Sequence, residues 1–146
     1  MPESDNHRYL VEQIQRWVRA NEPAASEYLV VDLDGHLGKE RPPEIDGYRP
    51  DAYASGGAGR LTIVGEAKTE LDLDSSHSRS QLASYIAYLA TQERGTIVLS
   101  TQWQAIRTGR SLLKRLAKSA GATSVTTVVI SDIERFAVST DKGGSE

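Results

Sequence analysis

Apolar residues recur along this chain with two different periods. Between Asn6 and Ala20, Leu10, Val11, Ile14, Trp17 and Val18 fall at helical spacing, with Ser4 or Asp5 placed to cap the first turn. Helical spacing returns in Ser78–Arg94 and in Gln104–Ala120, the latter stopped by Gly121, a residue suited to a left-handed helix end. Runs rich in β-formers predict strands at Glu27–Asp34, Thr96–Ser100 and Val125–Ile130. Two alternating runs, Arg49–Ser55 and Arg60–Lys68, flank Ser55-Gly56-Gly57-Ala58-Gly59, the composition of a β-hairpin. The predicted order is helix, strand, two-strand hairpin, helix, strand, helix, strand. It implies an α/β fold with a mixed central sheet flanked by helices. Residues 1–136 are expected to form one domain, and 137–146 a disordered polar tail.

The hairpin carries the most chemistry. Alternation puts Leu61, Ile63, Gly65 and Ala67 on one face, and Thr62, Val64, Glu66 and Lys68 on the other. If the turn is centred on Ala58-Gly59, Asp51 lies opposite Glu66, and cross-strand neighbours have Cβ atoms about 4.5–5.5 Å apart. Two carboxylates that close repel each other unless a cation sits between them. Mg²⁺, which takes oxygen ligands, suits such a pair, and Mn²⁺ is expected to substitute. On the next helix, Gln81 falls on the apolar stripe of Leu82, Tyr85, Tyr88 and Leu89, where its amide requires hydrogen-bond partners. In the first helix Glu12 lies about 160° from Ile14 and should face solvent, whereas His7 lies about 20° from that centre.

Composition narrows the classes. The 146 residues are 38% hydrophobic and 25% charged, as expected of a globular chain with a real core. With no cysteine there is neither a disulfide framework nor a thiolate site. The apolar runs are far shorter than a membrane span, and the first residues lack a secretory layout, so a cytoplasmic location and no membrane partner are expected. Net charge is −3, but from Arg94 to Ser131 there is no acidic residue and there are six basic ones, leaving −9 for the rest. That asymmetry suits a polyanion beside an acidic pocket, or an ordinary solvated helix face.

Pro50-Asp51 followed by Glu66-Ala67-Lys68 resembles the signature of the PD-(D/E)XK nuclease superfamily, and the predicted element order resembles its restriction endonuclease-like αβββαβ core, here with an additional C-terminal helix and strand. The likeness spans residues 6–130. It implies a Mg²⁺-dependent nuclease hydrolysing phosphodiesters of nucleic acid, expected to be an endonuclease on DNA of restriction or junction-resolving type, and a homodimer. In that reading Asp51, Glu66 and the backbone carbonyl of Ala67 bind the ion, and Lys68 completes the catalytic set. Gln81 and Tyr85 resemble the Q-x-x-x-Y element of RecB-like members, which orients the lysine or contacts substrate. His7 stands where such members can supply a first-helix ligand. Arg107, Arg110, Lys114 and Arg115 would engage the nucleic-acid backbone. Plainer readings of the same residues are a surface aspartate, a Glu–Lys pair on a solvated sheet face, and a packing histidine.

A second constellation competes. Val30-Val31-Asp32-Leu33-Asp34-Gly35 resembles the first motif of haloacid dehalogenase-like phosphatases, with Asp32 as nucleophile and Asp34 as acid. Ser100 or Thr101, Lys114 or Lys118, and Asp132 would complete that site. Against it, His36 follows Gly35 where a threonine is usual, and a hairpin interrupts what should be a parallel sheet. The plain alternative is a strand ending in an Asx-type turn. A third possibility is a non-catalytic nucleic-acid-binding module with a vestigial site. Gly56–Gly59 lacks P-loop spacing, and His7, His36 and His77 lack zinc-ligand spacing.

Overall fold

The computed structural model describes residues 5–33 and 40–133, and the backbone of 139–141. A six-stranded mixed sheet runs in chain order from β1 (Tyr28–Val31) through β2 (Ala52–Gly56), β3 (Leu61–Ala67), β4 (Arg94–Thr101) and β5 (Thr126–Ser131) to β6 (Ser139–Asp141). The pairs β1–β2, β2–β3 and β5–β6 are antiparallel, while β3–β4 and β4–β5 are parallel. Helix α1 (Asp5–Asn21) precedes the sheet, α2 (Glu70–Leu73) and α3 (Ser76–Leu89) follow β3, and α4 (Ile106–Ser119) joins β4 to β5. The expected αβββαβ order is present, and among the described residues no helix is long and apolar enough to cross a membrane.

Alternation sorts the strands' side chains into two cores. Leu10, Val11, Ile14 and Val18 of α1 pack with Ala52, Ala54, Leu61, Ile63, Ala67 and Val98 on one face. Leu82, Tyr85, Ile86 and Leu89 of α3 and Leu112 and Leu113 of α4 pack with Val64, Ile97, Leu99 and Val129 on the other. All seven residues of β3 are buried, because helices cover both its faces. Gly65 marks where α1 comes closest: a Cβ there would stand 2.7 Å from Ile14 Cγ2 and 3.2 Å from Ala52 Cβ.

The hairpin register is the expected one. Gly56 pairs with Leu61 and Ala52 with Gly65, so Asp51 and Glu66 stand opposite one another just past the ladder's end. The connection takes positive φ at Gly57, Ala58 and Gly59, which the two glycines adopt without steric cost. At α4, Gly121 is left-handed, and the Ala122 amide reaches the Ala117 carbonyl at 2.8 Å, closing a Schellman motif.

Four boundaries are corrected. The first strand covers only Tyr28–Val31, because residues 25–27 form a single 3₁₀ turn. The second helix ends at Leu89 and not at Arg94, since Arg94 is already paired with Leu61 in the β3–β4 ladder. A separate turn, α2, precedes that helix, and Ser75 caps α3 by accepting the Ser78 amide at 3.0 Å. Finally, Ser139–Asp141 in the expected tail form β6, whose pairing covers the backbone edge that β5 would otherwise present.

Candidate active site at the end of the hairpin

The strand ends bring three sequence-predicted residues together. Asp51 sits just before β2, Glu66 is the next-to-last residue of β3, and Lys68 follows it. Asp51 Oδ2 accepts the Ala67 amide at 2.8 Å, and Glu66 Oε1 accepts the Asp51 amide at 3.3 Å. The two carboxylates are thus cross-linked through each other's strands. Lys68 Nζ lies 3.5 Å from Glu66 Oε2, with both side chains almost wholly buried. The Lys68 amide donates to the Ser100 carbonyl on β4 at 3.0 Å. Backbone groups alternate sides along a strand, so Ala67 directs its amide and carbonyl towards Asp51, beyond the last β2–β3 pair.

The second helix completes the lysine's surroundings. Lys68 Nζ donates to Gln81 Oε1 at 2.6 Å, and Gln81 Nε2 donates to the Tyr85 hydroxyl at 3.0 Å. Both ends of the buried amide are therefore used, which is what its place on an apolar stripe requires. Tyr85 is fully buried, and the desolvation of its phenol and the nearby Glu66 carboxylate push its pKa up, so it stays a neutral donor and acceptor. Tyr48 packs edge-on against Tyr85 with ring centroids 6.4 Å apart, and Ser84 donates to Asp46 Oδ2 at 2.9 Å. These contacts hold the segment leading to Asp51 against α3.

From the other face, α1 delivers His7, whose Nε2 is 3.4 Å from Asp51 Oδ2. Glu12 is exposed, as its place on the helix predicts. Burial first, and the Asp51 carboxylate second, push the Glu66 carboxyl well above the usual carboxylate range, while Lys68 pulls it the other way. A pair in that state fits a divalent cation, which would supply the missing positive charge. Among the described residues no three His, Cys, Asp or Glu side chains gather to hold a metal; Asp51, Glu66 and the Ala67 carbonyl are the oxygen donors that this end of the hairpin could offer one.

The phosphatase constellation is not assembled. Asp32 follows β1, an antiparallel edge strand, and Asp132 follows β5, four strands away at about 4.8 Å per step. Ser100 and Thr101 are fully buried, and Asp32 faces Arg41 at 4.0 Å. Asp34 and His36 lie outside the described residues. The basic residues are on α4, with Arg107, Lys114 and Arg115 exposed and Arg110 half-buried. Helical geometry puts Arg107, Arg110 and Lys114 on one stripe within about 60°, and turns Arg115 about 100° from Lys114. Sequence reasoning missed two parts of this end of the sheet, Tyr48 and Gln102. The Gln102 side chain accepts the Glu70 amide at 2.9 Å, and a lone loop glutamine carries no signal of such a role.

No protein-family model and no curated protein matches the chain. Among solved structures, SfsA of Pyrococcus furiosus in complex with Ca²⁺ superposes with a TM-score of 0.50 at 13% sequence identity, over 92% of this chain and 62% of that one. The chain spans less than two thirds of that archaeal protein, and the likeness is one of fold. It agrees with the mixed α/β architecture described above.

Proposed function

We propose that this chain is a metal-dependent nuclease of PD-(D/E)XK type that hydrolyses phosphodiester bonds of DNA. The observation that carries the reading is the convergence of Asp51, Glu66 and Lys68 at one end of the hairpin, with Lys68 Nζ held 2.6 Å from Gln81 and 3.5 Å from Glu66. A bound Mg²⁺ would supply Lewis acidity towards the phosphate and lower the pKa of an attacking water. Asp51, Glu66 and the Ala67 carbonyl would hold it. Lys68 brings an ammonium group to where negative charge grows on the phosphate as the new P–O bond forms. Gln81 fixes the direction of that ammonium group, and Tyr85 fixes Gln81. The antiparallel arms and α1 exclude bulk water from Glu66, which strengthens each of these interactions. That SfsA was solved with Ca²⁺ is a further reason to test divalent ions here.

The test is cleavage of plasmid and branched DNA in Mg²⁺ or Mn²⁺. Asp51→Asn, Glu66→Gln and Lys68→Ala should each lose at least about a hundredfold in rate, the scale expected for removing a positioned electrostatic group. Asp32→Asn should cleave like the parent. Absence of cleavage with either ion, or loss in Asp32→Asn alone, would overturn the reading.

A further inference from the structure

The loop after β4 is pinned on two sides. Gln102 Oε1 accepts the Glu70 amide at 2.9 Å, tying it to the segment that follows Lys68, and Asp132 Oδ1 accepts the Trp103 amide at 2.9 Å. Although its backbone is held this firmly, Trp103 leaves 52% of its surface exposed. Tyr9, Tyr28, Leu71 and Trp103 are the exposed large apolar side chains among the described residues, and two of them, Leu71 and Trp103, directly follow the residues of the Glu70–Gln102 bond. Trp103 borders a groove of about 550 Å³ also lined by Gln104, Ile106, Arg107, Thr108 and Arg110.

We propose that this groove receives an unpaired nucleotide of the substrate strand, its base stacked on Trp103 and its flanking phosphates paired with Arg107 and Arg110. This deepens the nuclease reading and rests on it. An aromatic face beside two guanidinium groups suits a ligand that is both planar and anionic. No acidic residue occurs between Arg94 and Ser131, and the Asp132 carboxylate is engaged by the Trp103 amide. Bases inside a duplex have their faces covered and their edges paired, so only an unpaired base can turn into the groove and stack here. Position agrees. The groove opens beyond the C-terminal end of β4, and the adjacent parallel strand β3 ends in Glu66 and Ala67, about 4.8 Å away across the ladder.

The experiment measures binding of the full chain in EDTA, where cleavage is off, to a labelled single-stranded oligonucleotide, a duplex with an unpaired flap, and a blunt duplex of the same length. Trp103→Ala should weaken the first two by roughly tenfold or more, the scale of one lost base–aromatic stack, and leave the blunt duplex unchanged. Trp103→Phe should restore most of the loss. Binding of the single strand should quench indole fluorescence in the parent and not in Trp103→Phe, because Trp17 is buried. Equal affinities in parent and Trp103→Ala, or an equal loss on all three probes, overturns the proposal. Cleavage in Mg²⁺ separates the two readings: an active enzyme indifferent to Trp103 sinks the groove alone, whereas an inactive protein that still needs Trp103 for single strands sinks the nuclease alone.

Discussion

Glu66 is the residue on which charge and burial conflict most. Its side chain is 6% exposed, faces a second carboxylate, and has one cation, Lys68, at 3.5 Å. Its folded pKa is raised, so the fold holds this proton more tightly than the unfolded chain does. The resulting stabilisation is complete below the unfolded value and is lost as pH rises towards the folded one. Glu66→Gln removes the titration. In EDTA, the difference in unfolding free energy between this variant and the parent should therefore move in the variant's favour as pH rises above about 4, the ordinary glutamate value. Urea titrations at several pH values measure it, and a difference independent of pH would contradict the raised value. Much of this was legible in the sequence, because β-alternation and a glycine-rich turn suffice to place Asp51 opposite Glu66. The identity of Gln81's two partners was not. A buried amide announces that it needs partners, but only the packing of α3 on the sheet decides that they are Lys68 and Tyr85.

At the scale of elements, the position of α1 governs how His7 meets Asp51. The helix crosses β3 at Gly65, where the missing side chain admits Ile14. Gly65→Ala should cost about 1–3 kcal/mol, the usual penalty of overpacking, since the nearest atom, Ile14 Cγ2, is fixed by a β-branched side chain that is stiff about χ1, and Ala52 Cβ moves only with its backbone. Because the two positions share one space, Gly65→Ala combined with Ile14→Ala should lose less than the sum of the single changes. Chemical denaturation of the four proteins tests this, and strict additivity would mean that α1 is not seated by this contact. The close approach explains a difference in legibility between elements. Helix α1 and strand β3 announce themselves through their periodicities, whereas α2 and β6 are three- or four-residue pieces that exist because a neighbour needs them. β6 supplies partners for the edge of β5, and no propensity within Ser139–Asp141 is strong enough to specify that.

Across the whole molecule, the proposed function gives a chain of net charge −3 a polyanionic substrate, and the distribution of its charge reconciles the two. Three basic side chains, Arg107, Arg110 and Lys114, share one stripe of α4. A log–log plot of duplex affinity against salt should have a slope of about −3, close to one unit per neutralised phosphate. Arg107→Ala or Lys114→Ala should each reduce that slope by about one, while Arg115→Ala should leave it unchanged because its side chain is turned away. A uniform effect of all three would show that the field of the whole helix, and not the stripe, engages the strand.

The Gly57–Gly59 turn lies at the far end of β2 from Asp51, about 17 Å off at 3.4 Å per residue. Its length nevertheless decides which side chains converge at the Asp51 end of the hairpin, because adding or dropping one residue would slide the arms past each other and send one carboxylate to the opposite surface. The bend thus works as a ruler. In descendants of this gene its letters are free to drift among small residues, but insertions and deletions there should be purged as strictly as changes to the acids themselves.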